Sequence, residues 1–168
     1  MTLVVPSGLK REHEELHAEL ERAIEAGGQT GEAAQAVARL LHGHFKKEEA
    51  YALPPLSLLS TVMPDNYDND FTEDMDDALR KADNLRRELP CMLEEHKRIT
   101  QGLQHLAQTA RAESKPQFAE FAQKVMAHAQ EEEEIFYPAV LLLGDHLAQR
   151  LARAKPSVWN QVVATVDF

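Results

Sequence analysis

Apolar residues recur at three- and four-residue spacing through most of the chain, and sustained alternation of apolar with polar positions is nearly absent. That periodicity belongs to amphipathic helices rather than strands, and the fold class it predicts is all-α. A first helix is expected from Ser7, as its N-cap, to about Ala26, with Gly27, Gly28 and Gly31 forming the stop and turn. A second is expected over residues 32–53, ended by Pro54 and Pro55, with residues 54–70 as a loop. Residues 71–112 have helical composition throughout but carry Pro90, where the lost backbone donor predicts a kink. Pro116 suits the first turn of a last long helix that reaches Pro138 and continues through AVLLLGDHLAQRLARA as a C-terminal helical extension. Four main helices result.

Composition narrows the class of partner. A chain of 168 residues predicts one domain able to bury a core without staples. Its formal charge of -10 argues against nucleic acid or an anionic membrane surface as partner. The single cysteine, Cys91, leaves no internal disulfide and no Cys-based metal site, so any metal must use N and O donors. No apolar run is long enough to span a membrane, and a cytoplasmic protein is expected. The acidic stretch DNYDNDFTEDMDD lacks the glycine and closing Glu of a calcium loop in register and reads as a solvated connection and helix start. The tail SVWNQVVATVDF has no functional reading.

The chemistry lies where polar residues interrupt the apolar faces. At ~100° per residue, His13 falls on the stripe of Leu9, Leu16, Leu20 and Ile24. His44 and Glu48 share a face with Val37, Leu40 and Leu41, whereas His42 points away. His96 joins Met92, Leu93, Ile99, Leu103 and Leu106, whereas His105 does not. His128 and Glu132 are flanked by Phe121, Val125 and Ile135. Burying a polar group without a partner costs roughly 2–7 kcal/mol, so six such groups require mutual satisfaction.

An internal repeat shows how they pair. HFKKEEAYALP, from His44 to Pro54, and HAQEEEEIFYP, from His128 to Pro138, share His, Glu at +4, Glu at +5 and Pro at +10. His13 precedes His44 by 31 residues and His96 precedes His128 by 32, and each leading His follows a Glu, Glu12 or Glu95. The chain therefore reads as two helical hairpins, each supplying a lone His and a His-x-x-x-Glu. Positions i and i+4 share a helix face about 6 Å apart along the axis, so imidazole and carboxylate converge on one point, and two hairpins make a dinuclear cage. Four imidazoles and two carboxylates suit Fe, Mn or Zn better than Ca or Mg. If both carboxylates bridge, each ion keeps open positions for water, an oxo bridge or dioxygen.

With this paired His-x-x-x-Glu-Glu motif and its leading Glu-His dipeptides, the chain resembles the hemerythrin-like proteins, the family of the HHE cation-binding domain, over about residues 8–140, with 141–168 as an extension. The resemblance implies an up-down antiparallel four-helix bundle around a non-haem di-iron site. It carries the ligands onto His13, His44, Glu48, His96, His128 and Glu132, and it implies small ligands such as O2, NO or peroxide, bound, broken down, or replaced by iron sensing or donation. The chain departs from the oxygen-carrying hemerythrins, whose third helix has two histidines one turn apart, because Thr100 stands one turn after His96. That puts reversible oxygen transport in doubt. His17 is expected beside the site or at the surface, Glu49 and Glu133 in salt bridges or solvent, and Tyr51 and Tyr137 either as hydrogen-bond donors to a metal-bound oxygen or as hydrophobic caps.

Three other readings compete. HEELH, from His13 to His17, matches the zinc hydrolase pattern with Glu14 as general base, but the chain lacks the strands of such a cleft. Ferritin-like di-iron proteins need Glu-x-x-His on two helices, and only Glu14 to His17 fits. The third is a metal-free helical interaction module with core histidines, whose melting temperature would not respond to metal removal.

Overall fold

The computed structural model describes residues 3–62 and 72–154. Helices α1 (Ser7–Glu25) and α2 (Gly28–Lys47) form the first hairpin. A π-helical turn (Glu48–Ala52), a 3-10 segment (Pro54–Leu58) and the short α3 (Leu59–Val62) follow. The second half consists of α4 (Glu73–Ala112), α5 (Pro116–Glu131), another π-helical turn (Glu132–Phe136) and α6 (Tyr137–Ala154). Helix α1 packs on α2, α2 on α4, α4 on α5 and α5 on α1, which closes an all-α four-helix bundle. Among the described residues no helix is long and apolar enough to cross a membrane.

Several details differ from the expectations, each for a local reason. Ser7 is the first helical residue rather than the cap, and Pro6 precedes it. The first turn is shorter than the glycines implied. Gly27 and Gly28, at φ 63° and 65°, carry the whole reversal, and Gly31 lies inside α2, where a Cβ would meet the Ile24 carbonyl oxygen at 2.7 Å. Pro90 lies inside α4, which runs through it as one helix of 40 residues. Its ring faces solvent, so the carbonyl left without a partner can be hydrated. Part of the expected 54–70 loop is helical as far as Val62; the rest of it, the start of the acidic stretch and the C-terminal tail lie outside the described residues.

The two π-helical turns begin at the same register of the repeat, at Glu48 and Glu132. The proline at +10 supplies a reason. Pro54 lacks the N–H that would close an α-helical bond on the Ala50 carbonyl, and that oxygen instead accepts from Lys81 Nζ at 3.0 Å. A π turn holds more residues than an α turn, which moves the faces that follow it. Ile135, placed inward by a strict 3.6-residue period, is 56% exposed, and Tyr137 is 1% exposed. Leu40, at the edge of the α2 stripe, is 39% exposed.

The polar residues sit between two apolar clusters. One, on the side of the hairpin turns, includes Leu16, Leu41, Phe45, Ile99, Leu103 and Phe121. The other, towards α6, includes Ala52, Leu85, Met92, Tyr137 and Val140. Apolar side chains therefore close the space between on both sides.

The turn end of the bundle is tied by one ion pair. No side chain on α2 caps its own N-terminus. The Glu113 carboxylate, from the end of α4, accepts from the backbone N–H of Gln29 and Thr30 at 2.8 and 3.1 Å and from Thr30 Oγ1 at 2.6 Å. Lys115 Nζ donates to Glu113 at 2.8 Å and to the Ala26 and Gly27 carbonyls. Lys115, then the Thr30 and Gln29 donors, hold the Glu113 carboxyl down at about 2, against an ordinary 4.5. A depressed folded value stabilises above the ordinary pKa and is lost as pH falls through the folded one. Glu113→Gln should therefore melt below the parent at neutral pH, and the gap should close as pH drops from about 4.5 towards 2. Thermal melts across that range check this; a gap independent of pH would contradict it.

Candidate metal centre

Helices α1, α2, α4 and α5 each carry one histidine to the middle of the bundle. His13, His44, His96 and His128 are 1–3% exposed, and Glu48 and Glu132 0–1%. All six predicted site residues are thus inside. They form two groups of donor atoms close enough to hold an ion: His44, Glu48, His96 and Glu132, and His13, His128 and Glu132. Each group draws its two histidines from different halves of the repeat, so neither hairpin alone contains a complete group.

The imidazoles meet through Nε2. His44 and His96 approach at 2.7 Å, and His13 and His128 at 3.1 Å. Glu132 lies across both pairs, Oε1 at 3.1 Å from His128 and 3.7 Å from His13, Oε2 at 3.4 Å from His96. Glu48 spans less evenly, Oε1 at 2.8 Å from His44 and Oε2 at 3.8 Å from His13. Among the described residues Glu48 Oε2 and Glu132 Oε1 have no hydrogen-bond partner. Two nitrogens facing one another and orphaned carboxylate oxygens, all buried, form a poor hydrogen-bond network. They form a good mixed N/O donor set for borderline transition-metal ions. The residues fit a metal.

The charges oppose one another strongly. Burial depresses the basicity of His96, but hydrogen bonds to Glu132 and Glu48 outweigh it and raise the ring to about 10. His128 is raised to about 9 on the same balance, with Glu132 its main partner, and His44 is raised by Glu48 and Glu95 against burial. Burial works to raise Glu132, and its three histidine neighbours hold it well below the ordinary carboxyl value instead.

Tyr137 reaches the centre from the start of α6. Its hydroxyl donates to Glu48 Oε1 at 2.6 Å, and its ring stacks on His96 at 5.8 Å. The equivalent position of the first half is Leu53, also fully buried, so this hydrogen bond breaks the symmetry of the repeat. The sequence signal for it was the departure from the repeat at +9, where Tyr137 stands against Leu53. Tyr51 has no such role and is turned to Met92, its hydroxyl 3.6 Å from Sδ. Tyr137→Phe removes one of the two groups facing Glu48 Oε1, the other being His44 Nε2 at 2.8 Å. It should cost ~1–3 kcal/mol of stability in urea denaturation while metal content stays at the parental level.

Other histidines fall outside the centre. His17 does not join either donor group; Phe45 intervenes, stacked on His13 at 4.4 Å and meeting His17 edge-on at 5.0 Å. The HEELH pattern therefore places no second imidazole beside His13, and Glu14 is exposed near Lys10. His42 and His105 face outward as expected. Glu49 and Glu133 are not simple solvent residues, because both face ligand-candidate imidazoles, His13 and His96.

The model of the hemerythrin HHE cation binding domain family matches residues 5–140 of the chain. No curated protein and no solved structure matches it.

Proposed function

Because the chain belongs to the hemerythrin HHE cation-binding domain family, we propose that it is a non-haem di-iron protein reacting with a small ligand, dioxygen, nitric oxide or peroxide. In this reading His44 and His96 would hold one iron and His13 and His128 the other, with Glu132 and Glu48 available to both. The observation that carries it is Glu132, a single buried carboxylate that belongs to both donor groups. Iron bound there supplies open coordination positions and a ferrous/ferric couple.

The chain's own residues set what reaches those positions. Apolar clusters close the centre on both sides, which suits a diatomic or peroxide ligand better than a charged organic substrate. Tyr137 fixes the Glu48 carboxylate by its 2.6 Å hydrogen bond and leaves the Glu132 side without an equivalent. With Thr100 one turn after His96, half-buried and not in either donor group, α4 offers one histidine rather than two. That favours reaction or sensing over reversible transport. The lone, exposed Cys91 accords with a reducing, cytoplasmic setting.

Anaerobic loading with ferrous iron, followed by air, nitric oxide and peroxide in an absorption spectrometer, tests this. Two irons per chain and new charge-transfer bands with at least one of the three are expected. Two irons with no spectral response to any of them would overturn the reactivity. Zinc or manganese retained in place of iron would overturn the metal.

A further inference from the structure

Every histidine of the centre has an outward nitrogen, and each faces a glutamate carried by a different helix. His44 Nδ1 lies 3.0 Å from Glu95 Oε2, and His96 Nδ1 lies 2.8 Å from Glu133 Oε1. His128 Nδ1 is 3.3 Å from Glu12 Oε1, and His13 Nδ1 is 3.7 Å from Glu49 Oε1. The four pairs form a closed circuit. Glu12 on α1 faces α5, Glu133 just after α5 faces α4, Glu95 on α4 faces α2, and Glu49 just after α2 faces α1. Each glutamate also adjoins an inner residue in sequence: Glu12 precedes His13, Glu95 precedes His96, Glu49 follows Glu48 and Glu133 follows Glu132. Neighbouring positions on a helix point about 100° apart, so when one side chain enters the centre, the next reaches round to the adjacent helix.

A carboxylate accepting from Nδ1–H fixes the imidazole tautomer, orients the ring and presents the Nε2 lone pair inward. The four contacts are unequal. Those to His44 and His96 meet hydrogen-bond geometry, and Lys47 Nζ anchors the other oxygen of Glu95 at 2.5 Å. Those to His13 and His128 do not, and both Nδ1 atoms lack a hydrogen-bond partner among the described residues. The donor groups show the same inequality, four residues against three.

We propose that Glu12, Glu49, Glu95 and Glu133 are positioning residues that brace the four histidines in a ring around the bundle, and that the position of His44 and His96, being the better braced, holds its metal more tightly than that of His13 and His128. The proposal rests on the di-iron reading above. It assigns a use to the second Glu of each His-x-x-x-Glu-Glu motif and to the Glu of each Glu-His dipeptide.

The test uses the full chain loaded anaerobically with ferrous iron, and separately with cobalt(II), in the parent and in Glu12→Gln, Glu49→Gln, Glu95→Gln and Glu133→Gln. Release to a chelator should be biphasic in the parent. Glu95→Gln and Glu133→Gln should speed the slow phase about 10–100-fold, and Glu12→Gln and Glu49→Gln should act on the fast phase only and by less. In the cobalt protein, the paramagnetically shifted, solvent-exchangeable imidazole N–H resonances should respond one at a time, His44 to Glu95→Gln and His96 to Glu133→Gln. Glu12, Glu49 and Glu133 are 35–51% exposed, so their metal-free variants should melt with the parent, whereas metal-free Glu95→Gln, which loses its Lys47 pair, should melt below it. A parent that takes up neither metal would remove the di-iron reading. A parent that takes up two ions, while all four variants keep its release rates and N–H resonances, would overturn the bracing and leave that reading standing. Release in one phase would overturn the inequality.

Discussion

Glu132→Ala should reduce the metal content from two ions per chain to one. Glu132 is the residue the two donor groups share, and its oxygens face His128, His13 and His96 at 3.1, 3.7 and 3.4 Å. Without it, His44, Glu48 and His96 still offer three donors to one ion. His13 and His128 keep only two nitrogens and the distant Glu48 Oε2, too few to retain iron against solvent. His42→Ala and His105→Ala, on the outward faces of α2 and α4, should keep both ions. Metal counting by plasma emission after desalting distinguishes these outcomes. Equal losses from all three variants would mean that the faces have been assigned wrongly.

Removing the metal should lower the melting temperature by more than any single substitution above. The metal-free centre holds four imidazoles and two carboxylates in an apolar interior, two of the carboxylate oxygens without partners. A buried polar atom left unpaired costs ~1–3 kcal/mol. An ion present at ~1,000 times its dissociation constant adds about 4 kcal/mol to the folded state. For a chain of this size each kcal/mol moves the midpoint by roughly 2–4 °C, so chelation should shift it by on the order of 10 °C. Scanning calorimetry with and without a chelator gives the number. An unchanged midpoint is what the metal-free interaction module predicts.

How much of this could be read in the sequence depended on whether the information was periodic. The helices and the inward faces of His13, His44, His96 and His128 follow from a 3.6-residue period, and the structure places all four histidines inside. Spacing within the repeat put Glu48 and Glu132 beside them. Ile135 and Tyr137 were misplaced or left open because the π turn from Glu132 to Phe136 breaks that period, and a fixed angle per residue cannot register it. The start of α2 was set too late because its cap is Glu113, a residue remote in sequence, while Gly27 and Gly28 complete the turn unaided. Glu49 and Glu133 were expected in salt bridges or solvent, and their partners could not be named for a similar reason. They depend on which helix lies next to which, and one helix's periodicity does not contain that.

Anomalous diffraction from crystals of the iron-loaded protein, recorded on both sides of the iron absorption edge, bears most directly on whether this bundle is built around two ions. The account predicts two peaks per chain, one among His44, Glu48, His96 and Glu132 and one among His13, His128 and Glu132. A single peak, or peaks only at the bundle surface with the six side chains bonded to one another, would contradict it.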